Sequence, residues 1–399
     1  MWHNTRRGRN LIRKRYTTRQ FKLNLKNSLV ILACVFVIVT CTLNIINIRK
    51  SEKNKDEVAE LPTVEENNIV HIYEEENIEN TNNSNVQEAK KEFNIAVLGE
   101  IMMGGVVGEN VNYNYKTSYK HVYDITQKAD YTIATLGTNI INLDKIEDSK
   151  SKYITTTKIT DAFNALGIDG LNIATDHMLD FGKDVFIQTK EILDKDYDLI
   201  GLKDSITYAE HNGIKVAMIG VCNEIIGLGN KYTEAGIMMY DLTKVKSLIK
   251  EASKNANTVI VMTHLGFENT HQKTNVMTWF YKELIKAGAD VVLGSHALGV
   301  YPIEIYKGKP IIYSLGYFMH DTDNIIGKES GIFNLIINEE GILEKIQITP
   351  TYINAKKQTV LYNDVDSKEA EEFLKYISGD LKEGNIKDNI LTININDCK

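Results

Sequence analysis

From Phe93 onward, short apolar runs and amphipathic stretches take turns along the chain. "FNIAVLGE" is followed by helical periodicity through Thr117 to Ala129, then by the run "YTIAT", a helix ending near Gly167, the run "GLNIA" and a helix from Lys183 to Asp194. The alternation continues with "IKVAMIGV", the amphipathic "DLTKVKSLIKEASKN", "TVIVMTHLG", a helix around Val276 to Ala287 and "ADVVLGSH". Runs of this length rich in Val and Ile, with no polar alternate face, read as buried strands of a sheet whose faces are covered by helices. The pattern therefore predicts an α/β fold. From Pro302 it changes to consecutive strands, "IEIYKGKPIIYSLGYF" with a Lys-Gly turn and then "GIFNLIINEEGILEKIQITP", followed by a helix over Lys368 to Leu381 and a last strand near Leu391. Residues 351–399 read as an appendage to a main domain over 93–350.

The first 92 residues follow a different pattern. Residues 1–27 form a basic arm with no Asp or Glu, and Ser28 to Ile48 carries no charge at all. Some 20 apolar residues at about 1.5 Å rise cross a hydrocarbon core of about 30 Å, so 28–48 reads as a transmembrane helix. The positive-inside bias places the arm in the cytoplasm and the main domain outside the cell membrane, as a single-pass topology. No small-residue cleavage site follows the run, which argues against a signal peptide. Residues 49–92 hold twelve acidic residues and many Asn, a composition that cannot bury enough apolar surface to order itself; a solvated, disordered stalk is expected.

Charge is unevenly shared. The total of -7 breaks down into +11 over residues 1–50, -8 over residues 51–92 and -10 from residue 93 to the end. An acidic domain does not attract a polyanion through its overall field, so such a ligand would need a local basic groove or a bridging cation. Nothing points to nucleic acid, and there is no P-loop, dinucleotide fingerprint or supported Ser-His-Asp arrangement. Of the four cysteines, Cys34 and Cys41 lie in the span, leaving Cys222 and Cys398, which form no disulfide framework and leave their pairing open.

Polar residues gather at one kind of position. Glu100, Asp176 with His177, His264 and His296 each lie just beyond the carboxyl end of an expected strand, the edge where open α/β sheets bind ligands. A single such His is commonly structural, but four strand ends carrying imidazole or carboxylate suit a divalent metal of hydrolytic type, Zn, Mn or Fe.

The stretches "AVLGEIMMGG", "ADYTIATLG", "LNIATDHMLDFG", "VIVMTHLGFE" and "AGADVVLGSHALGVYPIEIYKGKPIIYSLGYF" resemble, in order and spacing, the CapA family, also called PgsA, of membrane-anchored capsule and poly-γ-glutamate synthesis proteins. The resemblance implies a metallophosphatase-like fold, a layered α-β-β-α sandwich, working with membrane subunits of a capsule synthesis complex on poly-γ-glutamate or another capsular polymer. It also shows departures. The family carries an Asp where Glu100 stands, an Arg at Gly105, Asn-Leu-Glu at Thr135-Leu136-Gly137, an Asn at Asp176, a His at Leu298 and an Asn at Tyr317, whereas His177, His264, Glu268 and His296 stand as the family has them. Gly137 and Leu298 offer no donor, so a two-metal site is not expected. Metal ligation by Glu100, Asp176, His264 and His296, with His177 as general acid and Glu268 at the pocket, leaves one divalent metal or none. The expected function is an accessory protein of capsule or poly-γ-glutamate synthesis and export with a degenerate metal site. The alternatives are a mononuclear metal hydrolase acting on a phosphoester or amide outside the membrane, and a structural partner-binding ectodomain.

Overall fold

The computed structural model describes residues 91–143, 151–223, 229–266, 273–379, 381 and 384–398. The arm and span, and the stalk expected over residues 49–92 as far as residue 90, lie outside the described residues, and so does Glu268; Glu92, expected at the end of the stalk, is in the first strand. Among the described residues no helix is long and apolar enough to cross a membrane.

In chain order the strands are β1 (Glu92–Ile101), β2 (Tyr131–Leu136), β3 (Asn139–Ile141), β4 (Ile154–Thr156), β5 (Gly170–Asn172), β6 (Asp198–Ile200), β7 (Thr207–His211), β8 (Ile214–Cys222) and β9 (Thr258–His264). They continue with β10 (Val291–Ser295), β11 (Glu304–Tyr306), β12 (Lys309–Ile312), β13 (Tyr317–Met319), β14 (Glu329–Asn338), β15 (Leu343–Ile353), β16 (Thr359–Leu361), β17 (Gly384–Lys387) and β18 (Ile390–Asn394). The larger sheet runs β17-β18-β15-β14-β1-β2-β5-β6, with β13 beside β1 and β16 beside β15. Its β1-β2-β5-β6 half is parallel and its β14-β15-β18-β17 half antiparallel. The second sheet runs β11-β12-β10-β9-β8-β7, parallel at its centre with an antiparallel strand at each edge.

The unbroken apolar runs are explained by burial on both faces. In β1, Ile95 and Val97 join a core shared with Met218, Ile260 and Leu293 of the second sheet, while Ala96 and Leu98 point the other way. That outer face is covered by helices α1 (Ile159–Leu166) and α2 (Lys183–Leu193), through Phe163, Leu166 and Phe186. In β8 the alternation repeats: Val216 and Met218 enter the shared core, and Ala217 and Ile219 meet α3 (Leu242–Asn255) and α4 (Asn275–Ala287). The result is a mixed α/β fold with two sheets face to face and helices on both outer faces. Each Val, Leu or Ile so buried contributes about 1.5–3 kcal/mol.

Local signals set the helix ends. Gly167 and Gly288 adopt left-handed C-cap conformations after α1 and α4. The Asp241 and Thr274 side chains accept from Lys244 N–H and Met277 N–H at the starts of α3 and α4. The Lys307-Gly308 turn has positive φ at both residues, as a tight hairpin requires.

Two expectations differ from the structure. Thr117 to Ala129 does not form one helix; it breaks into the short turns Tyr115–Ser118 and Tyr123–Thr126. Tyr119 and Val122 are drawn into the core, and the Tyr119 hydroxyl reaches Met103 Sδ at 2.9 Å, contacts that override the local period. The boundary at 350 falls inside β15, which pairs across its length with β14, and β16, β17 and β18 extend the same sheet. Helix α5 (Ser367–Ser378) places Phe373, Leu374 and Ile377 in the core between the sheets, so residues 351–398 complete the domain.

Candidate metal centre

Parallel strands of both sheets bring their carboxyl ends to one edge, and backbone detail turns the side chains inward there. The pairing of β1 with β2 shifts register between Val97 and Glu100, and Glu100 N–H donates to the Gly316 carbonyl at 3.0 Å. At Gly99 a Cβ would stand 2.4 Å from that same carbonyl oxygen, so only glycine allows the approach. His264 ends β9 between Cys222 of β8 and Ser295 of β10. His296 follows β10 with φ at +82°, a left-handed conformation that a non-glycine residue holds only under constraint. Asp176 lies four residues past β5, its carbonyl accepting from the Tyr232 hydroxyl, while Asn139 Nδ2 donates to the His177 carbonyl at 2.7 Å.

The four expected ligands come together. Glu100 Oε1 lies 3.2 Å from His264 Nε2, with both side chains only 1% exposed. Asp176 stands between two imidazoles, its Oδ1 being 3.5 Å from His264 Nδ1 and its Oδ2 3.5 Å from His296 Nδ1. One donor atom each from Asp176, His264 and His296 fall within 4.8 Å of one another. His177 is next to this group but differently engaged. Its Nδ1 is 2.8 Å from Asp180 Oδ2, its Nε2 is 3.6 Å from Asp176 Oδ1, and its ring stacks on Tyr153.

Burial and charge act against each other here. Burial by itself would raise the Glu100 carboxyl, but the charge and hydrogen bond of His264 outweigh it and hold Glu100 below the usual range. Asp176 is lowered in the same way, burial being overcome by His264, then His296 and His177. Burial would make His264 neutral, yet Glu100 and Asp176 pull it well above the ordinary imidazole range. For His177 burial is again opposed, chiefly by the Asp180 hydrogen bond and the Asp176 charge, and its pKa is raised.

The donors fit a divalent cation. Glu100 Oε2, Asp176 Oδ1, His177 Nε2 and His264 Nδ1 are buried without a hydrogen-bond partner, Asp176 Oδ1 having only ion-pair contacts, at 3.5 Å to His264 Nδ1 and 3.6 Å to His177 Nε2, and such atoms at one corner are costly unless something binds them. Mixed carboxylate and imidazole donors suit Zn, Mn or Fe. Of the departures seen in the sequence, Gly137 has a structural counterpart: a Cβ there would meet Glu100 Oε1 at 2.3 Å. Leu298 packs half-buried against the core of α1 and α2, and Tyr317 pairs in register with Glu100 and stacks on His320.

Several neighbours were not singled out from sequence. Cys222 is fully buried, its Sγ donating to the Asn223 carbonyl at 3.3 Å and burial raising its thiol pKa, and it lies in a different core cluster from Cys398. His320 lies directly past β13, so the strand-end rule that picked out His264 and His296 would have found it. Lys152 and Tyr153 carry no such signal.

A family model described as "Bacterial capsule synthesis protein PGA_cap" matches residues 94–322. The chain is 27% identical to the PGA biosynthesis protein CapA of Bacillus subtilis over 271 residues, 64% of this chain and 70% of the relative. It is 29% identical to the capsule biosynthesis protein CapA of Bacillus anthracis over 269 residues, 63% of this chain and 65% of the relative. The chain thus spans about two thirds of the length of these relatives. Among solved structures, a Staphylococcus aureus chain provisionally described as a 5′-nucleotidase, in complex with α-ketoglutarate, is similar with a TM-score of 0.43 at 14% identity, over 71% of this chain and 59% of that one. A likeness at that level says nothing of activity.

Proposed function

We propose, for a chain that belongs to the bacterial capsule synthesis protein PGA_cap family, that it serves the synthesis and export of a poly-γ-glutamate capsule as an accessory protein anchored in the cell membrane with its main domain outside. The match over residues 94–322 carries this reading, since it spans every strand end that contributes to the metal corner. The relatives named for capsule and PGA biosynthesis support the polymer as its ligand and other subunits of a synthesis complex as its partners. The metallophosphatase-like layering implied by the sequence resemblance is part of the same proposal.

One divalent cation would be held by Asp176, His264 and His296, with Glu100 behind His264. Such a cation supplies positive charge for an anionic ligand and, in a hydrolase, acidifies bound water. The chain's own residues set the rest. Glu100 fixes the orientation of His264 through Nε2, and Asp176 aligns both imidazoles. The corner is buried at Glu100 and His264 and partly exposed at Asp176, His177 and His296, so a ligand approaches from the side of these three.

A second reading rests on His177. Asp180 holds its Nδ1 and raises its pKa, which suits a proton donor, and Nε2 faces the corner beside Asp176. With these parts the domain would cleave a phosphoester or an amide of the polymer.

The test replaces the chromosomal gene with versions encoding Asp176→Asn and His264→Ala and measures surface poly-γ-glutamate, together with the metal content of the purified full chain. Loss of polymer alongside loss of metal is expected. Normal polymer in a deletion strain would overturn the capsule role; lost polymer with an unchanged metal content would overturn the metal.

A further inference from the structure

A single short segment reaches two histidines at the corner. Just before β4, the Tyr153 ring stacks on the His177 ring with centroids 3.6 Å apart and planes at 15°. The preceding residue places Lys152 Nζ 3.1 Å from His320 Nε2 and 5.2 Å from the Tyr153 ring centre. The segment is held firmly, since Asn139 N–H donates to the Tyr153 carbonyl at 2.8 Å. A Cβ on Gly104, in the loop after β1, would meet the carbonyl oxygens of Ile154 and Ser151 at 2.3 and 2.7 Å, so that loop lies directly against it.

His320 completes the arrangement. It is 4% exposed and stacks at 4.2 Å on Tyr317, the register partner of Glu100. An ammonium group only donates, so Lys152 makes Nε2 of His320 the acceptor and leaves the ring proton on Nδ1. That Nδ1 is buried and has no partner. Burial, then the Lys152 charge, pulls the His320 pKa down to about 4, which keeps the ring neutral at physiological pH and its Nδ1–H a donor. Leaving such a donor unpaired is destabilising, and a ligand oxygen would relieve it.

We propose that Lys152 and His320 form an oxyanion subsite beside the metal corner, taking a carboxylate or phosphoryl oxygen of the molecule bound there. The corner itself is rich in carboxylates, Glu100, Asp176 and Asp180, so an anionic ligand needs a cation on the protein side as well as at the metal. Lys152 supplies that point charge, and His320 adds a fixed neutral donor. This deepens the capsule reading and rests on it for one of the two ligands: poly-γ-glutamate offers a free carboxylate on every residue, and a phosphoester offers a phosphoryl group.

Calorimetric titration of the full chain with inorganic phosphate and with γ-glutamylglutamate, with and without Mn, tests it on wild type, Lys152→Met and Lys152→Arg. At least one probe should bind wild type, Lys152→Met should weaken it by about ten-fold or more, and Lys152→Arg should bind more tightly than Lys152→Met. A preference for phosphate assigns the phosphoryl source, and a preference for the dipeptide the carboxylate source. Thermal melts and Mn stoichiometry on the same samples show whether each variant is folded and loaded. Binding of neither probe to wild type, or equal binding by folded Lys152→Met, overturns the subsite. Lys152-dependent binding in a chain that takes up no Mn would keep the subsite and overturn the metal reading instead.

Discussion

A side chain at residue 137 would begin 2.3 Å from Oε1 of Glu100, so Gly137 is the space that the Glu100 carboxylate occupies. The sequence resemblance implies a shorter carboxylate at 100 and a second one at 137. In this chain the longer side chain of Glu100 reaches into the volume that a side chain at 137 would need, and one carboxylate stands where the resemblance implies two.

Gly137→Ala should therefore dislodge Glu100. Overpacking of this kind costs about 1–3 kcal/mol. The expected result is a lowered melting temperature and a reduced metal content by elemental analysis. An unchanged metal content and melt would show that Glu100 has no need of that space.

The Glu100–His264 pair should behave as a buried ion pair in the metal-free protein. His264→Gln leaves the Glu100 carboxylate uncompensated and should cost about 3–5 kcal/mol, whereas Glu100→Gln leaves His264 with Asp176 alone and should cost less. A double-mutant cycle should give a coupling of about 0.5–3 kcal/mol. Additive losses would mean that the two groups do not interact.

The pH dependence has a definite sign. His264 is raised, so its contribution to metal-free stability is present below the unfolded imidazole range and is lost as pH rises through its folded value. Glu100 and Asp176 are lowered, so theirs is present above the ordinary carboxylate range and is lost as pH falls through their folded values. A bound metal must displace the His264 proton, so the increase in melting temperature caused by Mn should grow as pH rises toward that folded value. Melts with Mn and with a chelator across pH check this, and an increase that stays flat would count against His264 as a ligand.

Polymer binding should depend on a cation, since residues 93–399 carry a net charge of -10. Sedimentation of the full chain with poly-γ-glutamate should show association with Mn and loss of it with a chelator. Association that survives both chelation and Lys152→Met would place the polymer elsewhere.

The packing between the sheets makes a separate prediction. Phe333 is fully buried in that core, and Phe333→Ala should cost about 3–5 kcal/mol. Val276, 67% exposed, should change stability by no more than about 0.5 kcal/mol on conversion to Ala. Denaturant melts distinguish the two.

What could be read from the sequence was local. "FNIAVLGE" and "IKVAMIGV" announce strands buried on both faces because a strand alternates its side chains and neither face tolerates polarity. Gly167 marks a helix end and Lys307-Gly308 a turn, because left-handed φ is decided within a few residues. Glu100, Asp176, His264 and His296 could be proposed together because parallel strands bring their carboxyl ends to one edge. Thr117 to Ala129 misled because contacts of Tyr119 with distant residues outweighed its helical period.

The rest was decided by tertiary structure, because it depends on atoms far apart in the chain. Glu100 meets His264 across 164 positions, and Lys152 meets His320 across 168, separations over which no local pattern carries information. Whether Gly137 is a lost ligand or the room for one, and whether residues 351–398 append to the domain or complete its sheet, follows only from which volumes the folded chain leaves open and which faces it must cover. Sequence determined the elements and the edge where their polar ends gather; packing and the dry, charge-dense interior of that edge determined which of those ends act on one another.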